Sequence, residues 1–335
     1  MSIANRIVLR PGNSEPHPLP CPQQWHRRYD ALADHQVNGT LETWSNGYKP
    51  NFVAELRYWS CWTDSPSAEE LQQSMARRLF GKGAESAVIE AWQHFSEAIQ
   101  MVPDTGPSMG TNNAVAHPLF LDEPPPRIMT LHNSWWDEAK KTPWRHRMIE
   151  AWPYCHRIMV FMPDFNNKTN RSEQYARQRS GVGSIEPADN LRDAKVLPVF
   201  NQYVLKAADQ IEKGLVAYRG AAMNSPQRKQ IVAFKEVLVV EQMQRMLRSL
   251  HAILEFEDLR FRLAKTNDPT EGHEMLERME QILREEIKRT EQSLETSRRD
   301  SRLGYECEMD YVYTPMVLEE KLDLLHETLE EQLPR

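Results

Sequence analysis

The stretch that decides the fold is residues 268–287, DPTEGHEMLERMEQILREEI. It opens with Asp268 at an N-cap position, Pro269 at N1 and Glu271 at N3. This combination favours the start of an α-helix, because the aspartate accepts hydrogen bonds from the free N–H groups of the first turn. Apolar side chains then recur every three or four residues, the spacing of one helix face: Leu276, Met279, Leu283 and Ile287.

The same spacing recurs on both sides of this stretch. One series upstream is Phe200, Val204, Ala207, Ile211, Leu215 and Tyr218; another is Val239, Met243, Met246, Leu250 and Ile253. A series downstream is Leu318, Leu322, Leu325 and Leu329. Ser225-Pro226 and Thr314-Pro315 resemble helix starts, and we expect the methionines to be core residues. Residues 187–335 are therefore predicted to be a long-helix bundle.

Residues 63–180 form a helical and irregular Trp-rich segment. Ser67 and Glu70 fit a capping box, in which each side chain accepts from the other residue's backbone N–H. The helix that follows has Leu71, Met75 and Leu79 on one face and ends before Gly81, and the next helix is stopped by Pro103. Four later tryptophans could form core or line a carbohydrate groove: Trp135, Trp136, Trp144 and Trp152.

Residues 1–62 are rich in Pro and Trp, with short β-like pieces. The best strand pattern is Gly39–Trp44, which lies between the turn dipeptides Asn38-Gly39 and Asn46-Gly47. The fold class predicted for the whole chain is mainly α, with a long-helix bundle and a small α/β segment at its N-terminal end.

The bulk composition excludes several classes of protein. The 335 residues carry a net charge of −7, which argues against a general nucleic-acid binder. The four cysteines have no CxxC spacing, which fits a reducing compartment and no zinc site. No apolar run is long enough to span a membrane, and the N-terminus lacks a secretory h-region. We therefore expect a cytoplasmic protein that does not contact membranes.

Motifs for common cofactors are also missing from the sequence. There is no GxxxxGK[ST], GxGxxG, HExxH or GxSxG pattern, so we expect no cofactor and no metal. A di-iron bundle would need Glu-x-x-His pairs, but neither His251 nor His273 has a glutamate three residues earlier. These two histidines are expected to be surface or capping residues.

One segment interrupts the helical pattern, RDSRLGYECEMDY at 299–311. It is dense in carboxylates, arginine and tyrosine, and loops on rigid scaffolds often carry function. The alternative is a salt-bridged connector, with Asp300 as a cap and Arg302 paired with Glu306.

Four pieces, in this order, resemble the C-terminal portion of bacterial TIM-barrel glycoside hydrolases and their relatives. They are GTLETWSNGYKPN (39–51), RRLFG (77–81), VIEAWQHFSEAIQMVP (88–103) and DSRLGYE (300–306). In that family the last barrel strand is followed by a helical domain packed against the barrel. The resemblance covers most of residues 35–325.

The resemblance implies that the strand at residues 40–44 is the last barrel strand, and that Glu42, Trp44 and Tyr48 lie near the C-terminal face where barrel enzymes keep their sites. Asp300, Arg302 and Glu306 would face the same cleft and bind substrate. Glu42 is then the candidate catalytic residue, and the ligand is a carbohydrate.

A complete barrel takes roughly 250 residues, far more than precede the first capped helix. The resemblance thus implies a truncated or split C-terminal part of a glycoside hydrolase-like protein, and leaves open whether the chain is active alone. A partner chain that supplies the rest of a barrel is then expected. The alternative is a non-catalytic helical-bundle interaction protein, whose long helices pair with another chain.

Overall fold

A computed structural model describes residues 20–37, 52–102, 114–121, 196–301, 303, 305–306, 310–311 and 314–333. This part of the chain is mainly helical, which confirms the mainly α part of the predicted class; the small α/β segment at the N-terminal end stays a prediction. The helices are α1 (Pro22–Asp34), α2 (Phe52–Ser60), α3 (Ala68–Phe80), α4 (Glu85–Met101), α5 (Val196–Met223), α6 (Gln227–Leu263), α7 (Pro269–Arg299) and α8 (Pro315–Glu327). Two short strands, β1 (Tyr305–Glu306) and β2 (Asp310–Tyr311), pair with each other between α7 and α8.

Three predicted helix starts are confirmed by their hydrogen bonds. Ser67 and Glu70 form the capping box of α3, with both reciprocal bonds present. The Thr270 N–H donates to Asp268 Oδ1 at 2.8 Å at the start of α7. The Val317 N–H donates to Thr314 Oγ1 at 3.3 Å at the start of α8. Short polar side chains thus fix where these helices begin.

The predicted start of α6 differs in detail. Ser225 is buried, and its hydroxyl donates backward to the carbonyl of Ala221, at 2.9 Å, near the end of α5. The carbonyl of Pro226 instead accepts from the N–H groups of Lys229 and Gln230. Ser225 therefore closes the preceding helix and Pro226 opens the next one.

By their internal contacts, the described residues form two compact units. Unit 1 takes those within Met1–Pro103, Tyr203–Leu247 and Asp300–Asp310; unit 2 takes those within Asp104–Gln202, Arg248–Arg299 and Tyr311–Arg335. The units follow contacts, whereas the three sequence segments 1–62, 63–180 and 187–335 follow composition, so those segments stay a prediction.

The core of unit 1 contains a group of aromatic side chains that we call the Tyr218 cluster: Phe80, Trp92, Phe95 and Tyr218, all fully buried. The ring of Tyr218 lies 4.8 Å from that of Phe80 and 5.4 Å, edge-on, from that of Phe95. Such tilted and edge-on contacts are the favoured geometry of aromatic pairs. The Trp92 Nε1–H donates to the Tyr218 hydroxyl at 3.4 Å, so the cluster buries its polar atoms in contact with each other.

Close backbone approach in unit 1 depends on two glycines. A Cβ at Gly214 of α5 would lie 2.6 Å from Phe95 Cε1 and 3.0 Å from the Ala91 carbonyl, so α5 packs directly on α4. Gly81 has φ +108, where side chains other than glycine's are strained, and a Cβ there would meet Pro226 at 2.5 Å. The end of α3 therefore lies against the start of α6.

The core of unit 2 includes an irregular segment, residues 114–121, of which 114–120 are buried. Its backbone is bound by side chains of the last helix. Thr328 Oγ1 donates to the Leu119 carbonyl at 2.8 Å, and the Leu121 N–H donates to Gln332 Oε1 at 3.0 Å. Thr328–Gln332 is a π-helical turn that continues α8. In a helix or sheet, other backbone groups would be the hydrogen-bond partners of this buried backbone. Here polar side chains take that role.

The apolar stripes of the long helices are largely confirmed as core. Val239, Met243, Met246, Leu250 and Ile253 are all at most 3% exposed. The helices α1 and α2 were not identified from the sequence. The predicted strand at 39–44 and the four tryptophans lie outside the described residues, so both predictions stay open.

Candidate functional site

Most of the predicted site lies outside the part of the chain that the structure describes. Glu42, Trp44, Tyr48 and Arg302 are all in this group. Glu306 is described only as backbone, in β1. Asp300 is the one predicted site residue whose side chain can be placed.

Asp300 is the first residue after α7 and is 3% exposed, in contrast to Arg298 and Arg299 immediately before it, which are exposed. Its carbonyl accepts from the Leu303 N–H at 3.1 Å, and Leu303 is 2% exposed. Asp300 and Leu303 therefore both lie in the interior. Burying a carboxylate is costly unless it has partners, and Asp300 does take part in polar interactions. Its burial fits both a binding role and the salt-bridged connector in which Asp300 is a cap.

The residues directly after α7, within Asp300–Asp310, belong to unit 1, although α7 up to Arg299 belongs to unit 2. Unit 1 also contains α3, which ends in the RRLFG motif, and α4, which carries the VIEAWQHFSEAIQM motif. Three of the four motif segments behind the resemblance are therefore in one compact unit.

A second polar centre, in unit 2, consists of charged side chains that we call the Lys321 cluster: Glu286, Arg289 and Lys321. Glu286 and Lys321 have no exposed surface and form an ion pair. Arg289 Nε donates to the second carboxylate oxygen of Glu286 at 2.8 Å. Burial by itself would raise the pKa of Glu286, but the charges and hydrogen bonds of Lys321 and Arg289 outweigh it and lower the pKa below 4.5.

The ammonium of Lys321 has at least three acceptors. Besides Glu286, its Nζ donates to the carbonyls of Val115, at 3.0 Å, and Ala114, at 3.4 Å. An ammonium has three N–H donors, so each one has an acceptor. This lysine connects α7, α8 and the buried segment, and it is not available as a nucleophile or a ligand group. The cluster is therefore a structural centre.

A third polar centre in unit 2 surrounds His251, which the sequence predicted to be a surface or capping residue. It is instead half-buried, with 24% of its side chain exposed. Its Nδ1 lies 2.7 Å from Asn201 Oδ1 on α5, and its Nε2 lies 3.4 Å from Glu255 Oε2 on α6. Glu255 also accepts two hydrogen bonds from the guanidinium of Arg278 on α7, at 2.6 and 2.8 Å. This network connects three helices.

Among the described residues, no group of three or more His, Cys, Asp or Glu side chains is arranged to hold a metal ion. None of the described helices has a segment apolar and long enough to pass through a bilayer. Comparisons with protein-family models, curated proteins and solved structures found no match to this chain.

Sequence reasoning missed the Lys321 cluster, although one signal was present. Glu286 lies between Leu283 and Ile287 of the apolar stripe, three and one residues away, and so faces the core. A charged residue in that register has to be paired, but the partner lies on another helix 35 positions later. The position of Glu286 on its helix predicts that this residue is buried, but it does not identify Lys321 as the partner.

Proposed function

We propose that this chain is a glycoside hydrolase-like, carbohydrate-directed protein, corresponding to the last barrel elements and the helical domain of such an enzyme. The observation that carries the proposal is the burial of Asp300 in the DSRLGYE segment, within the same unit as the RRLFG and VIEAWQHFSEAIQM helices. Asp300 brings a buried carboxylate to this unit, and carboxylate oxygens accept hydrogen bonds from sugar hydroxyls.

The proposed roles are as follows. Glu42 is the candidate catalytic carboxylate, and Trp44 and Tyr48 are candidate sugar-stacking side chains. Asp300, Arg302 and Glu306 are candidate ligands of sugar hydroxyls. Glycoside hydrolysis commonly needs a second carboxyl group, about 5 Å or about 6.5–9.5 Å from the first according to mechanism. We propose that a partner chain carrying the remaining barrel strands supplies it, unless Asp300 or Glu306 does.

The experiment is a hydrolysis screen of the purified chain on chromogenic glycosides, combined with a sugar-binding screen by saturation-transfer NMR. Glu42→Gln should lose hydrolysis while it retains sugar binding. Asp300→Asn should weaken sugar binding. Asp323→Asn is the matched control, since Asp323 is exposed on α8, and it should behave like the parent chain.

The possible outcomes separate the parts of the proposal. Binding without hydrolysis supports a split enzyme, which should become active when it is mixed with a barrel chain. If protein that circular dichroism shows to be folded neither binds nor hydrolyses any sugar in the screens, a carbohydrate-directed function is contradicted.

A second candidate, a helical-bundle interaction protein, is favoured by a different observation. Around the turn between α5 and α6 in unit 1, three apolar side chains are highly exposed: Val216 at 67%, Met223 at 61% and Ile231 at 74%. Exposed apolar patches often mark interaction sites. If they do so here, Ile231→Glu should abolish an association that light scattering detects in the parent chain. A parent chain that stays monomeric and captures no helical partner contradicts this candidate.

A further inference from the structure

Two neighbouring tryptophans, Trp59 and Trp62, are exposed at the end of α2. Trp59 is 41% and Trp62 is 70% exposed, although tryptophan side chains are highly buried on average. In the part of the chain that the structure describes, no hydrogen bond or ring contact engages either indole. The ring surface that stays in water adds nothing to the apolar area buried on folding. The packing of unit 1 therefore does not account for the position of these rings.

The backbone directs the two rings to the same side. The Trp62 N–H donates to the Trp59 carbonyl at 3.1 Å, and the Cys61 N–H donates to the Tyr58 carbonyl at 3.3 Å. These bonds are those of a 3₁₀ turn, in which side chains three positions apart lie one above the other. Trp59 and Trp62 thus share one side of the turn, and we call them the Trp59–Trp62 platform. Tyr58, which is 54% exposed, lies a third of a turn away from them.

The helix that carries the platform is fixed to the rest of unit 1. Leu56 is 1% exposed, and the carboxylate of Glu55 forms an ion pair with the guanidinium of Arg78 on α3. The helix α2 also packs against α1. Because these contacts lie within two turns of both tryptophans, the platform is part of a rigid element, and rigid elements hold binding groups more precisely than loops do.

The residues around the platform restrict what can bind there. Residues 58–65, YWSCWTDS, are all exposed, and beside the aromatic rings they carry three hydroxyl groups and the carboxylate of Asp64. They include no lysine or arginine, so the phosphates of a nucleic acid or of acidic lipids would find no positive charge among them. A stable protein interface takes roughly 20–30 residues on each side, and this surface is far smaller. The charge and the size both favour a small, neutral ligand with hydroxyl groups.

We propose that the Trp59–Trp62 platform binds neutral sugar rings by stacking, as a subsite in addition to the residues assigned above. This inference rests on the proposed carbohydrate-directed function. A pyranose ring has faces made of C–H groups, which pack on an aromatic face, and an edge of hydroxyl groups, which stay in water or accept from an indole N–H. Because two indoles lie side by side, consecutive sugars of a chain can bind together. Oligosaccharides should therefore bind more tightly than single sugars.

The test follows the tryptophans directly by ¹⁹F NMR. The full chain is labelled with 5-fluorotryptophan, which marks all nine of its tryptophans. Trp59→Phe and Trp62→Phe identify the two platform signals, and Trp44→Phe identifies the signal of the candidate stacking residue of the proposed function. Cellohexaose, xylohexaose and maltohexaose are the probes. At least one of them should shift both platform signals, and glucose should shift them only at much higher concentration.

Variants and a control test whether the rings bind the sugar. The affinity is read from the Trp59 signal. Trp62→Ala should weaken binding of the best hexasaccharide about tenfold, because the most exposed ring is lost, and Trp62→Phe should recover much of that loss. Tyr203→Ala is the control, since Tyr203 is also an exposed aromatic residue of unit 1, at 44%, but the Lys206 ammonium lies 5.0 Å from its ring centroid. This variant should bind like the parent chain.

The outcomes separate this inference from the proposed function. If the Trp44 signal shifts or saturation transfer shows sugar binding while the platform signals stay unchanged, the platform is overturned and the proposed function stands. If no oligosaccharide shifts any signal or binds by saturation transfer, both are overturned. Platform signals that shift equally with polyethylene glycol, or only with an RNA oligonucleotide or phospholipid vesicles, would also overturn the platform as a sugar subsite.

Discussion

The Tyr218 cluster of unit 1 and the Lys321 cluster of unit 2 both lie in the core, but they are stabilised in different ways. The Tyr218 cluster consists of aromatic rings whose contribution depends on shape, with α5 brought close by Gly214. The Lys321 cluster consists of charges whose contribution depends on each having its partner. The first should be most sensitive to volume, the second to charge.

The largest expected effect comes from removing one charge of the Lys321 cluster. Lys321→Met removes the buried ammonium and leaves Glu286 with Arg289 as its charged partner in the cluster, which should lower the free energy of unfolding by up to about 3–5 kcal/mol. Urea unfolding followed by circular dichroism measures it. Lys288→Met, at an exposed lysine of α7, is the control and should change the value by about 0.5 kcal/mol or less.

A double variant sharpens this prediction. Lys321→Met combined with Glu286→Leu removes both buried charges, so it should regain much of the stability that the single variant loses. If the double variant is no more stable than the single one, the loss reflects packing and not an unpaired charge.

Lowering the pH should weaken the ion pairs of the Lys321 cluster and leave the packing of the Tyr218 cluster unchanged. The pKa of Glu286 is lowered below 4.5 in the folded chain, so its ion pairs stabilise fully above pH 4.5 and are lost as the pH falls through the folded-state value. Stability measured from about pH 6 down to about pH 3 should fall less steeply in the double variant than in the parent. Equal slopes would show that other carboxylates account for the acid effect.

The Tyr218 cluster should respond to volume. Gly214→Ala introduces a methyl group 2.6 Å from Phe95 and should lower the free energy of unfolding by about 1–3 kcal/mol. Gly220→Ala on the same helix is the matched control. Its methyl group would meet nothing within 4 Å, so the better helix propensity of alanine should stabilise the chain by up to about 1 kcal/mol. Urea unfolding should therefore show changes of opposite sign in the free energy of unfolding for Gly214→Ala and Gly220→Ala. No change for Gly214→Ala would contradict the close approach of α5 to α4.

The smallest effect is expected at an exposed ion pair. Arg284 and Glu280 on α7 contact at 2.7 Å, but their side chains are 63% and 44% exposed. Arg284→Ala should therefore change the free energy of unfolding by about 0.5 kcal/mol or less, because solvent screens the pair. A loss as large as that of Lys321→Met would mean that burial does not explain the difference between the two pairs.

Much of the helical structure was predictable because its signals are local. The capping residues Ser67, Asp268 and Thr314 mark helix starts within three residues of their partners, and the apolar stripes repeat within each helix. The same logic failed at Ser225, whose hydroxyl donates to a carbonyl behind it instead of accepting from an N–H group of the helix ahead of it.

The candidate site was less predictable because its contacts are not local. The position of His251 on its helix does not reveal that Asn201, 50 residues earlier, lies against it. Asp300 belongs to unit 1, whereas the helix that precedes it belongs to unit 2. Single-sequence patterns describe a residue's own element, whereas burial and pKa depend on which other elements lie beside it.

The hydrogen bonds between the last helix and residues 114–121 have a consequence for folding during protein synthesis. The hydrogen bonds that Lys321, Thr328 and Gln332 make with that segment, two as donors and the last as an acceptor, span 206, 209 and 211 positions of sequence. During synthesis, the carbonyls of Val115 and Leu119 leave the ribosome long before these partners exist. Because contacts of such long range form late, unit 2 should complete its fold only after translation of the final turns, and until then this apolar segment depends on chaperones or transient contacts to stay out of aggregates.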